Sequence, residues 1–171
     1  MPKPPLIIDS NIISNALSPK QTKAYAALFH ELEQSYRFVV TGYTQFELLR
    51  SSDKKHREKY LDYIDTDMTR IDLSSILMEF SARLYYVYSK HPKTNGLRIS
   101  DGDIINAAVA IIKDCPVLTQ DSFDYPAPFF KEISRHEIRF QSIRGRDVID
   151  MLYILTPDKQ HTKYCFDEHD K

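Results

Sequence analysis

Four acidic residues stand where metal-assisted chemistry could be assembled: Asp9, Glu47, Asp103 and Asp121. Asp9 ends the apolar run Leu6-Ile7-Ile8, and Asp121 comes just past Pro116-Val117-Leu118-Thr119; both runs read as short strands buried on both faces of a parallel sheet. Glu47 and Asp103 fall near the starts of two expected helices. In open α/β sheets ligands bind beyond the carboxyl ends of the strands, where loops and helix starts converge, so the four acids are expected to meet there. Clustered carboxylates raise each other's pKa unless a cation neutralises them, and hard oxygen ligands select Mg2+ or Mn2+ over Zn2+. Such a site polarises a phosphoryl oxygen and lowers the pKa of bound water. With two ions it stabilises both the attacking and the leaving oxygens of phosphodiester hydrolysis.

The elements that must hold these acids follow from periodicity. Ala24, Ala27, Leu28 and Leu32 recur at helical spacing between Thr22 and Ser35, and Phe38-Val39-Val40 then reads as a strand, so the chain opens on a strand–helix–strand crossover. Gly42 marks a turn, and Thr44 is expected to cap the helix that carries Phe46, Glu47, Leu48 and Leu49. A charged segment from Asp53 to Asp65 has Tyr60, Leu61 and Ile64 as its apolar stripe, and a short strand is expected from Thr69 to Leu73. A long helix from Ser74 to Lys90 stops at Pro92 and the Asn95-Gly96 turn. Ser100-Asp101-Gly102-Asp103 opens another helix, whose broad apolar face holds Ile104, Ala107, Ala108, Ile111 and Ile112. Past Pro126 and Pro128, Ile138 to Ile143 alternates as a strand, while Val148 to Leu155 suits helix or strand equally. The repeated alternation predicts an α/β fold with a mostly parallel sheet.

At 171 residues the chain suits a single domain spanning 1–171. Apolar residues make up 42% and charged residues 27%, as in ordinary globular proteins. No apolar stretch approaches the roughly 20 residues needed to span a bilayer, and no signal-peptide core follows Met1, so a cytoplasmic protein is expected. Cys115 and Cys165 form no paired motif, and the 6 histidines show no paired spacing, so neither a disulfide framework nor a zinc site is indicated. The net charge of −1 supplies no global attraction to nucleic acid. Phosphate contacts would have to come from bound cations and local basic residues. Arg50, Lys54, Lys55, His56 and Arg57 soon after Glu47 form one such group, Arg144 and Arg146 another.

Four motifs in order carry a resemblance. Asp9-Ser10-Asn11 after Leu-Ile-Ile, Glu47 in Phe-Glu-Leu-Leu, Ser100 to Ala108, and Val117 to Pro126 resemble the ordered motifs of PIN domains, above all those of VapC-like toxin ribonucleases. The resemblance covers Leu6 to Pro126 and leaves residues 130–171 as a C-terminal extension with an edge strand and a helix. It implies a three-layer α/β/α sandwich around a mostly parallel sheet and Mg2+- or Mn2+-dependent cleavage of RNA. It also implies dimerisation and inhibition by an antitoxin protein. By motif position Asp9, Glu47 and Asp103 are similar to the three central acids, and Asp121 to a more variable fourth, a place for which Asp124 is a second candidate.

Each of these residues also has an ordinary reading. Asp9 suits a turn after a strand; Ser10 and Asn11 suit a helix cap or contacts to the Asp9 carboxylate or substrate. Glu47 would by default face solvent. Ser100 and Asp103 form a capping-box pattern that competes for the same carboxylate. Asp101 lies about 200° from Asp103 around a helix, so the two cannot share a face; Asp101 suits a helix-start charge, or a longer reach to metal through water. Thr119 is expected to order the loop or a bound water. Two rivals remain: a PIN-like module that binds RNA or protein without turnover, and a phosphatase of the haloacid-dehalogenase type, whose second Asp would fall at Asn11.

Overall fold

The computed structural model describes residues 2–50, 52–142 and 145–169. The chain begins with β1 (Pro5–Ile8), α1 (Ser10–Ala16), α2 (Thr22–Leu32) and β2 (Arg37–Thr41). It continues with α3 (Gly42–Arg50), α4 (Lys54–Asp67), β3 (Thr69–Ile71), α5 (Ser75–Lys90) and α6 (Asp101–Lys113). Last come β4 (Val117–Thr119), a 3-10 turn at Ser122–Asp124, β5 (Phe130–Gln141), β6 (Asp147–Pro157) and α7 (Lys159–His169). The six strands form one sheet in the order β3-β2-β1-β4-β6-β5. β3, β2, β1 and β4 are mutually parallel; β6 runs antiparallel to β4, and β5 antiparallel to β6.

Alternation along the strands supplies two cores. Ile7, Val39, Val117 and Leu155 face one side of the sheet, where Leu84 and Val87 of α5, Ala107 and Ile111 of α6, and Phe166 of α7 cover them. Leu6, Ile8, Val40, Leu118 and Ile154 face the other, against Ile12 and Ile13 of α1, Leu28 and Phe29 of α2, and Ile64 of α4. Because β1 and β4 are covered on both faces, their runs are apolar up to Thr119 at the end of β4, and the layers are those of an α/β/α sandwich.

Local chemistry sets most boundaries. Asp9, Asp53, Ser74 and Ser100 each accept a backbone N–H at the start of a helix. α5 ends at His91, which is extended before Pro92, and α6 ends on Asp114 in the left-handed region at φ 55°. Three sequence expectations change. The cap of α3 is Thr41, whose Oγ1 accepts the Thr44 N–H at 3.1 Å, and Thr44 lies inside the helix. Val148 to Leu155 is strand, part of β6. β5 starts at Phe130, earlier than the alternation suggested, and pairs with β6 over most of its length across a register shift between Glu132 and Ser134. Ile143 and Arg144 lie outside the described residues.

Candidate active site

Asp9 follows β1 directly and caps α1 with extended backbone, which aims its carboxylate across the carboxyl edge of the sheet. Its Oδ1 accepts the Ser10 N–H at 2.7 Å, and its Oδ2 accepts the Thr119 hydroxyl at 2.8 Å and the Asn11 side-chain amide at 3.2 Å. Only 3% of the residue is exposed. Burial, then repulsion from Asp103, pushes its pKa up to about 7 against the pull of the Thr119 and Ser10 hydrogen bonds; Glu47 adds to the rise. Capping and site roles thus coincide in one side chain.

Glu47 is brought in by α3, and a buried polar knot sets that helix against α6. Asn106 Oδ1 accepts the hydroxyls of Thr41 at 2.9 Å and Thr44 at 3.2 Å, with all three residues fully buried. The Glu47 carboxylate lies over Gly102, where an added Cβ would meet its carbon and both oxygens at 3.0 Å. Only a residue without a side chain leaves that space. Burial raises the Glu47 pKa and Asp103 raises it further, while the Ser10 side chain and Arg50 lower it.

Asp103 sits in the first turn of α6. Ser100 Oγ accepts the Asp103 N–H at 3.2 Å and donates to Asp103 Oδ2 at 2.6 Å, so the cap engages one carboxylate oxygen while the group stays coupled to its neighbours. Burial and Asp121 raise its pKa against the two Ser100 bonds. Asp121 is exposed and caps the 3-10 turn, its Oδ1 accepting the Phe123 N–H at 3.0 Å. Asp124, half-buried, has its pKa pushed up to about 7 by burial and by repulsion from Asp103, Asp121 and Asp9. Asp101 is exposed and lines a surface cavity with Tyr43, Met78 and Tyr85, away from Asp103.

The sheet therefore brings Asp9, Glu47, Asp103, Asp121 and Asp124 to one edge, with Asn11 and Thr119 as supports. The donors are all oxygens, the carboxylates repel one another, and Asn11 Oδ1 beside Asp9 is buried with no hydrogen-bond partner. This set fits a hard divalent cation. Arg50 lies near Glu47, with its guanidinium 5.8 Å from the Phe46 ring centroid. Lys54 pairs with Glu58 at 3.8 Å, Arg57 donates to the Ser52 carbonyl at 2.7 Å, and His56 bonds Asp53 at 2.9 Å; Lys55 is exposed. Sequence reading had passed over Gly102 and Thr41. The Gly between two acids at a helix start was the available signal for the first, and a Thr closing an apolar strand for the second.

Fold and site together define an α/β/α protein with a carboxylate cluster at the carboxyl edge of its parallel strands. The chain belongs to the PIN-domain family, whose model matches residues 6–122 and whose members are generally nucleases. The fold is similar to that of a chain in the structure of VapBC2 from Rickettsia felis bound to a DNA fragment from its promoter. There the TM-score is 0.59 and the identity 18%, over 72% of this chain and 93% of that one. It is similar also to a chain of a toxin–antitoxin complex from Klebsiella pneumoniae, with a TM-score of 0.54 and 18% identity over 72% of this chain and 92% of that one. No curated protein sequence matches the chain.

Proposed function

We propose that this protein is a metal-dependent endoribonuclease whose carboxylates hold Mg2+ or Mn2+, and that it is the toxin of a toxin–antitoxin pair. The observation that carries the reading is the meeting of Asp9, Glu47, Asp103 and Asp124 at one sheet edge, with Asp9 and Asp124 pushed up to about 7. Carboxylates raised by burial and then by mutual repulsion are poised to exchange protons for a cation. Asp121 and Asp124 are both coupled to Asp103; we assign the fourth place to Asp124, because it is half-buried and coupled to Asp9 as well, while Asp121 is exposed and caps the 3-10 turn.

When bound, the cation supplies phosphate-charge neutralisation and activation of water. The protein's own part is to hold the acids. Thr119 and Asn11 fix one oxygen of Asp9, and the Ser10 N–H fixes the other. Gly102 lets Glu47 lie against the start of α6, and Ser100 holds Asp103. Arg50, the basic group nearest Glu47, is placed to meet an RNA phosphate beside the site, and Lys54, Lys55 and Arg57 extend that basic surface along α4.

An antitoxin protein is the proposed protein partner, supported by the two neighbouring structures, which are toxin–antitoxin complexes; a second copy of the chain is proposed from the family resemblance alone. The test of the enzyme is cleavage of an RNA panel by purified protein with Mg2+ or Mn2+. Cleavage that falls at least about 100-fold in both Asp9→Asn and Asp103→Asn is the expected result. Cleavage unchanged in both variants would sink the assignment. A protein that cuts no RNA and binds no Mn2+, yet holds a protein partner tightly, would be a binding module instead.

A further inference from the structure

A second group of ligating side chains lies outside the carboxylate cluster. His91 terminates α5, while His161 and Cys165 are one turn apart on α7, so an i, i+4 pair from one helix meets the end of another. One nitrogen of each ring and Cys165 Sγ lie within 4.8 Å of one another. Cys165 Sγ is 3.2 Å from His161 Nε2, and the His91 and His161 rings meet edge-on at 5.4 Å between centroids. Phe129 packs against both rings, at 5.2 Å and 5.1 Å, and fixes their orientation. Cys165 is buried and both histidines are half-buried, which leaves the group reachable from solvent on one side.

Imidazole nitrogen and thiolate sulfur are both donors that Zn2+ takes, and a three-ligand site leaves its fourth tetrahedral place to water. With Zn–N of about 2.0–2.1 Å and Zn–S of about 2.3 Å, tetrahedral ligand atoms stand roughly 3.3–3.7 Å apart. The His161–Cys165 pair is already near that separation, and His91 needs to move by only about 1 Å. Burial, with His161, Lys93 and His169 nearby, holds the His91 pKa down, so the ring offers a lone pair at neutral pH. Its Nδ1 accepts the Lys93 N–H at 3.2 Å, a long bond that is exchanged if Nδ1 is the ligating atom.

We propose that His91, His161 and Cys165 form a Zn2+ site that clamps α7 to the end of α5. Binding forms one S–Zn and two N–Zn bonds, and the thiol proton of Cys165 leaves to solvent; nothing is oxidised or reduced. The donors differ in kind from those at the sheet edge, since sulfur and imidazole suit zinc and other transition ions where oxygens suit Mg2+ or Mn2+. The site does not depend on the nuclease reading.

The test titrates metal-free full-length protein with Zn2+ and with Co2+ as its coloured substitute, in excess Mg2+. The expected result is one equivalent bound, a thiolate-to-cobalt charge-transfer absorption, and a higher Tm with Zn2+. Cys165→Ser should lose the charge-transfer absorption and the Tm rise, and His161→Gln should weaken Zn2+ binding at least about tenfold. Asp9→Asn should leave all three readouts intact. A folded wild-type protein without the charge-transfer absorption overturns the proposal. So does a full absorption in Cys165→Ser, which would place the thiolate at Cys115.

Discussion

Asp9 holds the tension of the site in a single group. In the folded protein its pKa is about 7, against 3.8 for the free side chain. Between those values the folded state binds the extra proton, so the Asp9 contribution to stability falls as pH rises from about 4 to about 7 and is flat beyond. Without metal, Asp9→Asn should therefore gain on the wild type as pH rises, by on the order of 2–4 kcal/mol at pH 7.5 relative to pH 4. Thermal melts of both proteins in chelator at the two pH values check this, and a constant gap would refute it. Added Mn2+ should offset this gain by stabilising the wild type selectively, by about 2.7 kcal/mol at 100 times Kd. Gly102 gives a second residue-level expectation. Gly102→Ala must displace the Glu47 carboxylate, since its Cβ would meet that group at 3.0 Å. Mn2+ affinity and RNA cleavage should drop about tenfold with the fold retained, as seen by titration calorimetry and circular dichroism. Asp9, Asp103 and Asp121 could be picked out in the sequence because each stands at a strand end or a helix start; Glu47 lies in the second half of α3, past the early turns where the sequence placed it, and only its motif marked it. Gly102 could not be picked out, because its role depends on a side chain 55 positions away.

Among the elements, α3 has little apolar anchorage of its own. Its one buried apolar side chain is Leu48, and its place against α6 rests on the Thr41, Thr44 and Asn106 knot. Asn106→Ala leaves both hydroxyls enclosed without their shared acceptor, which should cost about 1–3 kcal/mol in urea unfolding. Thr44→Val should cost less, because Thr41 keeps its bond to Asn106. Equal losses would mean that the knot does not set α3. Periodicity made most elements readable, since the runs ending at Ile8 and Thr119 and the stripe of α6 each match one template. β6 was ambiguous because Asp147 to Pro157 alternates only weakly: the segment is covered by neighbours that differ along its length. The cap of α3 was misplaced by three residues because Thr41 and Thr44 both carry a capping hydroxyl, and only the turn at Gly42 decides between them.

For the whole molecule, the net charge of −1 and the cluster of acids mean that, on the proposed ribonuclease reading, an RNA strand meets repulsion at the site. Binding of a cleavage-resistant RNA should therefore require Mg2+ or Mn2+. The logarithm of affinity should fall with that of monovalent salt at a shallow slope, about −0.7 for each phosphate neutralised by Arg50 or its neighbours. Fluorescence anisotropy with and without chelator checks both statements, and tight binding in chelator would contradict them. Among the described residues, no helix is long and apolar enough to cross a membrane. The resemblance ended at Pro126, yet the sheet does not: β6 lies between β4 and β5, with Val117 opposite Leu155 and Thr119 opposite Tyr153.

That placement has a consequence for the order in which the protein is made. Thr119, which donates to Asp9, sits on a strand whose second neighbour is translated more than 30 residues later. At the 5–20 residues per second of ordinary synthesis, the edge of β4 stays open for roughly 2–8 s after Thr119 is joined. The nascent chain therefore carries its acids before the sheet that steadies them is complete. A ribosome making this protein holds an unfinished site, and its completion waits for β6, Asp147–Pro157.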